Sequence, residues 1–226
     1  FVIKTETRRN VICIGFVGTA LAEIIVVIAD AEGQVQPARR TESILQITGK
    51  YSLAGAELRR PKFHIICQHL YVRRNIRQRQ VGADTHTFAA AIKSALRQDA
   101  DVIVVSELRD LETMRTALTA AETGHLVIST LHTHDAPSTI LRIMDAFPEE
   151  QQDFVASQLA SSLKGVICQS LIARHDQPGR VMASEIMVVN QGIASSIRSR
   201  RLSQLGNLIQ IGGIDGMHTI DDSLMH

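Results

Sequence analysis

The chain has 226 residues, 24 basic against 23 acidic, for a formal net charge of +1. That balance excludes a bulk electrostatic pull toward nucleic acid, and the length suits one α/β domain with a full core. Cys13, Cys67 and Cys168 are odd in number and far apart, which excludes a disulfide framework and makes a reducing cytoplasm the default. A start at Phe1 rather than Met points to a piece of a longer protein.

The first elements are strongly apolar. Val11 to Ala31 follows Lys4, Arg8 and Arg9 and superficially matches a signal peptide or membrane span. Glu23 interrupts the run, and Asp30 and Glu32 follow at once, which favours a strand and turn, then a buried strand at Ile24 to Ile28. Gln34 to Thr41, with Pro37, reads as a loop. Gly49 and Lys50 fit a phosphate-binding loop, whose backbone amides wrap phosphates and whose lysine reaches them. Ile44 stands where the first glycine belongs and Tyr51 where the Mg²⁺-holding hydroxyl belongs, with Ser52 one place late. An ordinary Gly-Lys turn and a phosphate contact from Lys50 both remain open. Arg59, Arg60, Arg73, Arg74, Arg77 and Arg79 make the next stretch basic. With only Phe63 and Tyr71 interleaved, a solvated face suits them better than a nucleic-acid groove.

From Thr85 the pattern is regular. Phe88, Ile92, Ala95 and Leu96 predict a helix. Val102 to Val105 and Leu126 to Ile128 are short β-branched runs separated by a helical stretch, and they predict buried parallel strands. Between them Asp110 is a predicted N-cap, Leu111, Met114, Leu118 and Ala121 one helix face, and Gly124 a C′ residue. Pro137 suits the first turn of a helix carrying Ile140, Ile143 and Met144. A longer helix is predicted after Pro148, with Val155, Leu159, Leu163, Val166 and Ile167 facing inward. Arg180 to Val189 reads as a strand, followed by two short helices, at residues 193–200 and 202–211, and by Gly212-Gly213 and the tail.

Ligands of open α/β sheets bind outside the carboxyl ends of the strands. Glu107 falls just beyond the first buried run, and Thr130 and His132 just beyond the second. A carboxylate fixed at a strand end suits general-base work, and the plain alternative is a surface glutamate paired with Arg109. Asp101 opens its strand at the opposite end and reads as structural. A metal set of His125, His132, His134 and Glu107 is disfavoured, because strand alternation separates His125 from the others.

Asp101 to Asp110 resembles the Walker B segment of the secretion ATPase superfamily, which serves type II secretion and type IV pili, and Gly124 to Thr133 resembles its His box. The resemblance continues through Phe147-Pro-Glu-Glu150 to Gly213 to Asp222, over roughly the last two-thirds of the chain. It implies a RecA-like P-loop NTPase core with a mostly parallel sheet over residues 1–190, divergent at 1–78, and a helical C-terminal extension at 191–226. It also implies ATP and Mg²⁺ as cofactors, with Gly49, Lys50 and Ser52 at the phosphates. Glu107 and His132 become catalytic candidates and Thr130 a γ-phosphate sensor. His125 is then either a relay or a strand-end histidine, and Arg109 either a salt-bridge or a subunit-interface residue.

The superfamily further implies a cytoplasmic homohexamer, peripheral to the inner membrane at the pilus base. There it would act on a membrane platform protein, with no nucleic-acid partner, and an N-terminal PAS-like domain would precede this stretch. Zinc-bearing relatives carry four cysteines after the His box, and here Cys168 is the only cysteine beyond Cys67, which favours the retraction branch (twitching motility). Several positions depart from the pattern. Lys62 to Val72 lacks the acidic box, Ala100 replaces a proline, and Ser106 replaces a glycine. Ile193 to Ser199 keeps only the aliphatic frame and Arg198 of a retraction-associated helix. The abrupt change near Arg79 reads as divergence, decay or a frameshift. Two competing expectations follow: a non-hydrolysing member with no competent ATP site, and a nucleic-acid module built on the arginines.

Overall fold

The computed structural model describes residues 2–3, 10–15, 24–28, 35–36 and 75–225. Nine strands occur among them: β1 (Val2–Ile3), β2 (Asn10–Gly15), β3 (Ile24–Ile28), β4 (Val35–Gln36), β5 (Asn75–Gln80), β6 (Val102–Val105), β7 (Leu126–Leu131), β8 (Leu163–Ala173) and β9 (Arg180–Val188). β1 and β4 pair by themselves, and the rest form one sheet in the order β5-β2-β6-β7-β3-β8-β9. The pairings β5–β2, β2–β6 and β6–β7 are parallel. Those of β7–β3, β3–β8 and β8–β9 are antiparallel. The sheet is thus divided into a parallel half and an antiparallel half, rather than being mostly parallel throughout.

The two apolar runs near the N-terminus form β2 and β3, as their composition predicts, and both lie inside the sheet. Among the described residues no helix is long and apolar enough to cross a membrane. All four residues of β6 are buried, as expected for a parallel strand covered on both faces. Helix α1 (Phe88–Ala95) contributes Ile92 and Ala95, and α2 (Leu111–Glu122) contributes Met114 and Leu118, to the core around Ile103, Val105 and Val127. Each fully buried aliphatic side chain of this kind stabilises by about 1.5–3 kcal/mol.

Helix ends follow the capping residues. The Asp110 carboxylate accepts from the Thr113 amide at 2.8 Å and starts α2. Gly124, at φ 98°, takes the left-handed C′ position that ends it. Asp135 caps α3 (Ala136–Asp145), with Pro137 in its first turn.

The helix after Pro148 is shorter than its periodicity predicts. α4 (Glu149–Ser162) buries Val155 and Leu159, but Leu163 turns to extended geometry at ψ 130°, and Leu163, Val166 and Ile167 belong to β8. The reason is tertiary: β8 has strand partners on both sides, β3 and β9, and their ladders outweigh one more helical turn. β9 ends at Val188, close to expectation.

Helices α5 (Gln191–Arg198), α6 (Leu205–Ile211) and α7 (Ile220–Leu224) follow, separated by 3₁₀ turns at Leu202–Gln204 and Gly213–Asp215. Ile193, Ile197, Leu205, Ile209 and Met217 join the same core as Leu159 and Ile103.

Candidate active site at the carboxyl ends of β6 and β7

β6 and β7 run side by side, with Val105 opposite Ser129. The segment leaving β6 is tied to both neighbours. The Ser106 amide donates to the Ile14 carbonyl at 2.8 Å, and the Leu108 amide to the Thr130 carbonyl at 3.2 Å. The Ser129 hydroxyl donates to the Val105 carbonyl at 2.9 Å, and the Thr130 hydroxyl donates to the carbonyl of Ser106. These bonds leave the Glu107 backbone little freedom.

The Glu107 side chain is 16 % exposed and sits between Arg109 and His132. Arg109 Nε donates to Oε2 at 2.6 Å, and His132 Nε2 lies 3.3 Å from Oε1. Arg109 is 61 % exposed, so this pair contributes little to stability, about 0–1 kcal/mol. Its effect is to aim the carboxylate. His132, 45 % exposed, follows directly on β7, and its carbonyl accepts from Arg142 Nη1 at 3.2 Å. An open groove of about 470 Å³, lined by His132, His134, Arg142 and Asp145 among others, leads away from this point.

The predicted site residues therefore separate into four groups. Glu107, Arg109 and His132 converge. Thr130 lies inside β7, not beyond it, with its hydroxyl committed to Ser106. His125 lies at the far end of β7, roughly 20 Å away by strand rise. There its Nδ1 is 3.1 Å from the Ala120 carbonyl and 3.3 Å from the Thr123 hydroxyl, against the last turn of α2. Gly49, Lys50 and Ser52 lie outside the described residues, as do Arg59, Arg60, Arg73 and Arg74. Among the described residues no three His, Cys, Asp or Glu side chains form a metal-binding group.

Sequence reasoning passed over one buried carboxyl near this site. Glu185 is 7 % exposed on β9, opposite Cys168 of β8, and accepts from the Ala136 amide at 2.8 Å. No motif marks it; the only signal is an acidic residue in an apolar strand. Burial raises its pKa above the ordinary 4.5, Asp135 and Asp221 add to the rise, and the amides of Ala136 and Ile220 oppose it. Burial also pushes the Cys168 thiol up, with the charges of Glu185 and Asp135 in the same direction, so this thiol is not an available nucleophile.

The native state thus holds the Glu185 proton more tightly than the unfolded chain does. The stability this gives is full at low pH and declines as pH rises above about 4.5 through the native value. Melting temperatures of the native chain and of Glu185→Gln, compared from about pH 4.5 to neutrality, should show the advantage of the native chain shrinking as pH rises. A constant difference would contradict the assignment.

Residues 71–208 match the profile of the Type II/IV secretion system protein family, which is more than half of the chain. This chain belongs to that family. Family members similar to it include a twitching motility protein of Neisseria gonorrhoeae, 48% identical over 149 residues, which are 66% of this chain and 40% of that one. The type IV pilus retraction ATPase PilT of Pseudomonas aeruginosa is 51% identical over 146 residues, 65% of this chain and 42% of that one. The chain thus spans about two-fifths of the length of these curated relatives. Among solved family structures, that of the pilus retraction motor PilT with bound ADP aligns with 97% of this chain and 57% of that one, at TM-score 0.65 and 30% identity.

Proposed function

We propose that the chain is the catalytic part of an ATP-driven motor for type IV pilus retraction, built on a RecA-like P-loop core. The observation that carries this reading is the Glu107 carboxylate, fixed beyond a buried parallel strand and flanked by Arg109 and His132. Glu107 orients and deprotonates the water that attacks the γ-phosphate. His132, in contact with Glu107 and partly open to solvent, senses the phosphate being lost. Thr130 ties the two strand ends together, so that a shift at one reaches the other. Gly49, Lys50 and Ser52 hold the phosphates. The Ser52 hydroxyl would hold Mg²⁺, which would supply neutralising charge to the phosphates when bound. Arg109 holds Glu107 within its own chain, and in a ring it faces the neighbour.

In this reading the chain works in a homohexamer at the cytoplasmic face of the inner membrane, against a platform protein, as the resemblance to the secretion ATPases implies. Within the chain, residues 1–190 form the ATPase core and 191–226 a helical extension. The second reading is a member that does not hydrolyse ATP, and the observation favouring it is Ile44 and Tyr51 in the phosphate loop.

Titration with a fluorescent ATP analogue, with and without Mg²⁺, decides between them. Saturable Mg²⁺-dependent binding that drops at least about a hundredfold in Lys50→Ala supports the motor. Absence of binding by the native chain supports the second reading.

A further inference from the structure

The loop that presents His132 to Glu107 is short. β7 ends at Leu131 and α3 begins at Ala136, so only residues 132–135 lie between them. Two ties run back to this loop from α3. The outer one is the bond from Arg142 Nη1 to the His132 carbonyl, exposed and 3.2 Å long. Water competes for both of its partners, so this tie holds weakly.

The inner tie is a relay of hydroxyls. Thr139, in the second turn of α3, is fully buried, an uncommon place for a polar side chain. Its hydroxyl donates to the Asp135 carbonyl at 2.8 Å and lies 2.7 Å from the Thr133 hydroxyl. A hydroxyl carries one proton and a carbonyl can only accept, so Thr133 is the donor to Thr139. The relay thus runs one way, from Thr133 to Thr139 to Asp135. Bonding back to the carbonyl four residues earlier is a common habit of helix hydroxyls, and Thr116 and Thr119 of α2 share it. Thr139 goes further by taking a second hydroxyl from outside its helix.

The consequence falls on His132. Asp135 is already fixed, because its carboxylate caps α3 through the Ser138 amide at 2.6 Å. The relay ties Thr133 to that fixed point. Thr133 is joined directly to His132, and Leu131 on the other side is buried in β7. The His132 backbone is therefore held from both sides, with its Nε2 3.3 Å from Glu107 Oε1.

We propose that Thr139 is a positioning residue for His132, acting through Thr133 on the loop 132–135. Without the Thr139 hydroxyl, Thr133 turns to solvent and the imidazole spends less time against Glu107. The bearing of this tether on turnover rests on the ATPase reading given above; the tether itself does not.

Thr139→Val keeps the branched shape and removes the hydroxyl, whereas Thr139→Ser keeps the hydroxyl. Thr133→Val removes the other member of the relay at a half-buried position, where the fold bears the change easily. The probe is diethyl pyrocarbonate, applied to the full chain without nucleotide. Carbethoxylation of His132 is read by peptide mass spectrometry against the exposed His175. The ratio of His132 to His175 is expected to rise about threefold or more in both valine variants, and to stay within about 1.5-fold of native in Thr139→Ser. An unchanged ratio in either valine variant, or an equal rise in Thr139→Ser, overturns the tether. Steady-state kinetics should show kcat about tenfold lower in Thr139→Val with KM within about twofold, and Thr139→Ser close to native. An unchanged kcat overturns the positioning role, and no turnover by the native chain overturns the ATPase reading while the carbethoxylation result stands.

Discussion

Glu107→Gln is expected to lower ATP turnover by about two to four orders of magnitude, with Mg²⁺-dependent nucleotide binding changed by less than about threefold. Glutamine matches the carboxylate in shape and still offers an oxygen to Arg109 Nε, so the strand ends and the groove beside His132 should keep their geometry. What it lacks is the basicity needed to take a proton from water. Phosphate release and analogue binding, measured on the same preparation, separate the two effects. Turnover that survives the substitution would move the base elsewhere, and loss of binding would mean that Glu107 holds the nucleotide rather than the water.

Leu159→Ala should destabilise the fold by about 2–5 kcal/mol, a large share of the roughly 5–15 kcal/mol available to a domain. Leu159 is fully buried on α4, in the core shared with α2, α3 and α5. Truncation there leaves a cavity among helices already fixed by the sheet beneath, so little collapse can fill it. Urea unfolding followed by circular dichroism gives the value; a loss below about 1 kcal/mol would show that the neighbouring helices close the gap.

The interior parallel strands β6 and β7 were legible because they carry their burial in composition. Val102 to Val105 is an unbroken β-branched run, and no other element suits four residues covered on both faces. The caps at Asp110 and Asp135 and the glycine at 124 were legible for a local reason, since each acts within one turn of chain. The start of β8 was not. Val155, Leu159, Leu163 and Val166 keep helical spacing across the true boundary, and neither Gly nor Pro marks Ser162. What ends the helix there is pairing with β3 and β9, and spacing within a segment carries no record of that.

β5 escaped for the opposite reason. Asn75 to Gln80 has only polar residues apart from Ile76, as an edge strand tolerates, and it reads as a solvated stretch. At the site, Glu107 and His132 were found from the rule that strand ends face ligands. Glu185 follows no such rule: its buried carboxylate takes the first amide of α3, a helix start far earlier in the chain.

The place of β3 has a further consequence, for the order in which the molecule can be made. Residues 24–28 lie between residues 126–131 and residues 163–173, and residues 10–15 lie between residues 75–80 and 102–105. These two interior strands are synthesised before any of the strands that pair with them. A nascent chain carries β2 with open hydrogen-bonding edges until β5 and then β6 emerge, and β3 until β7 and then β8 leave the ribosome. Synthesis proceeds at about 5–20 residues per second, so that exposure lasts for seconds, long enough for chaperones to bind or for neighbouring chains to associate. Any chain interrupted before residue 163 is left with β3 paired on one edge at most, which makes premature termination far more hazardous for this fold than for one whose outer strands come first.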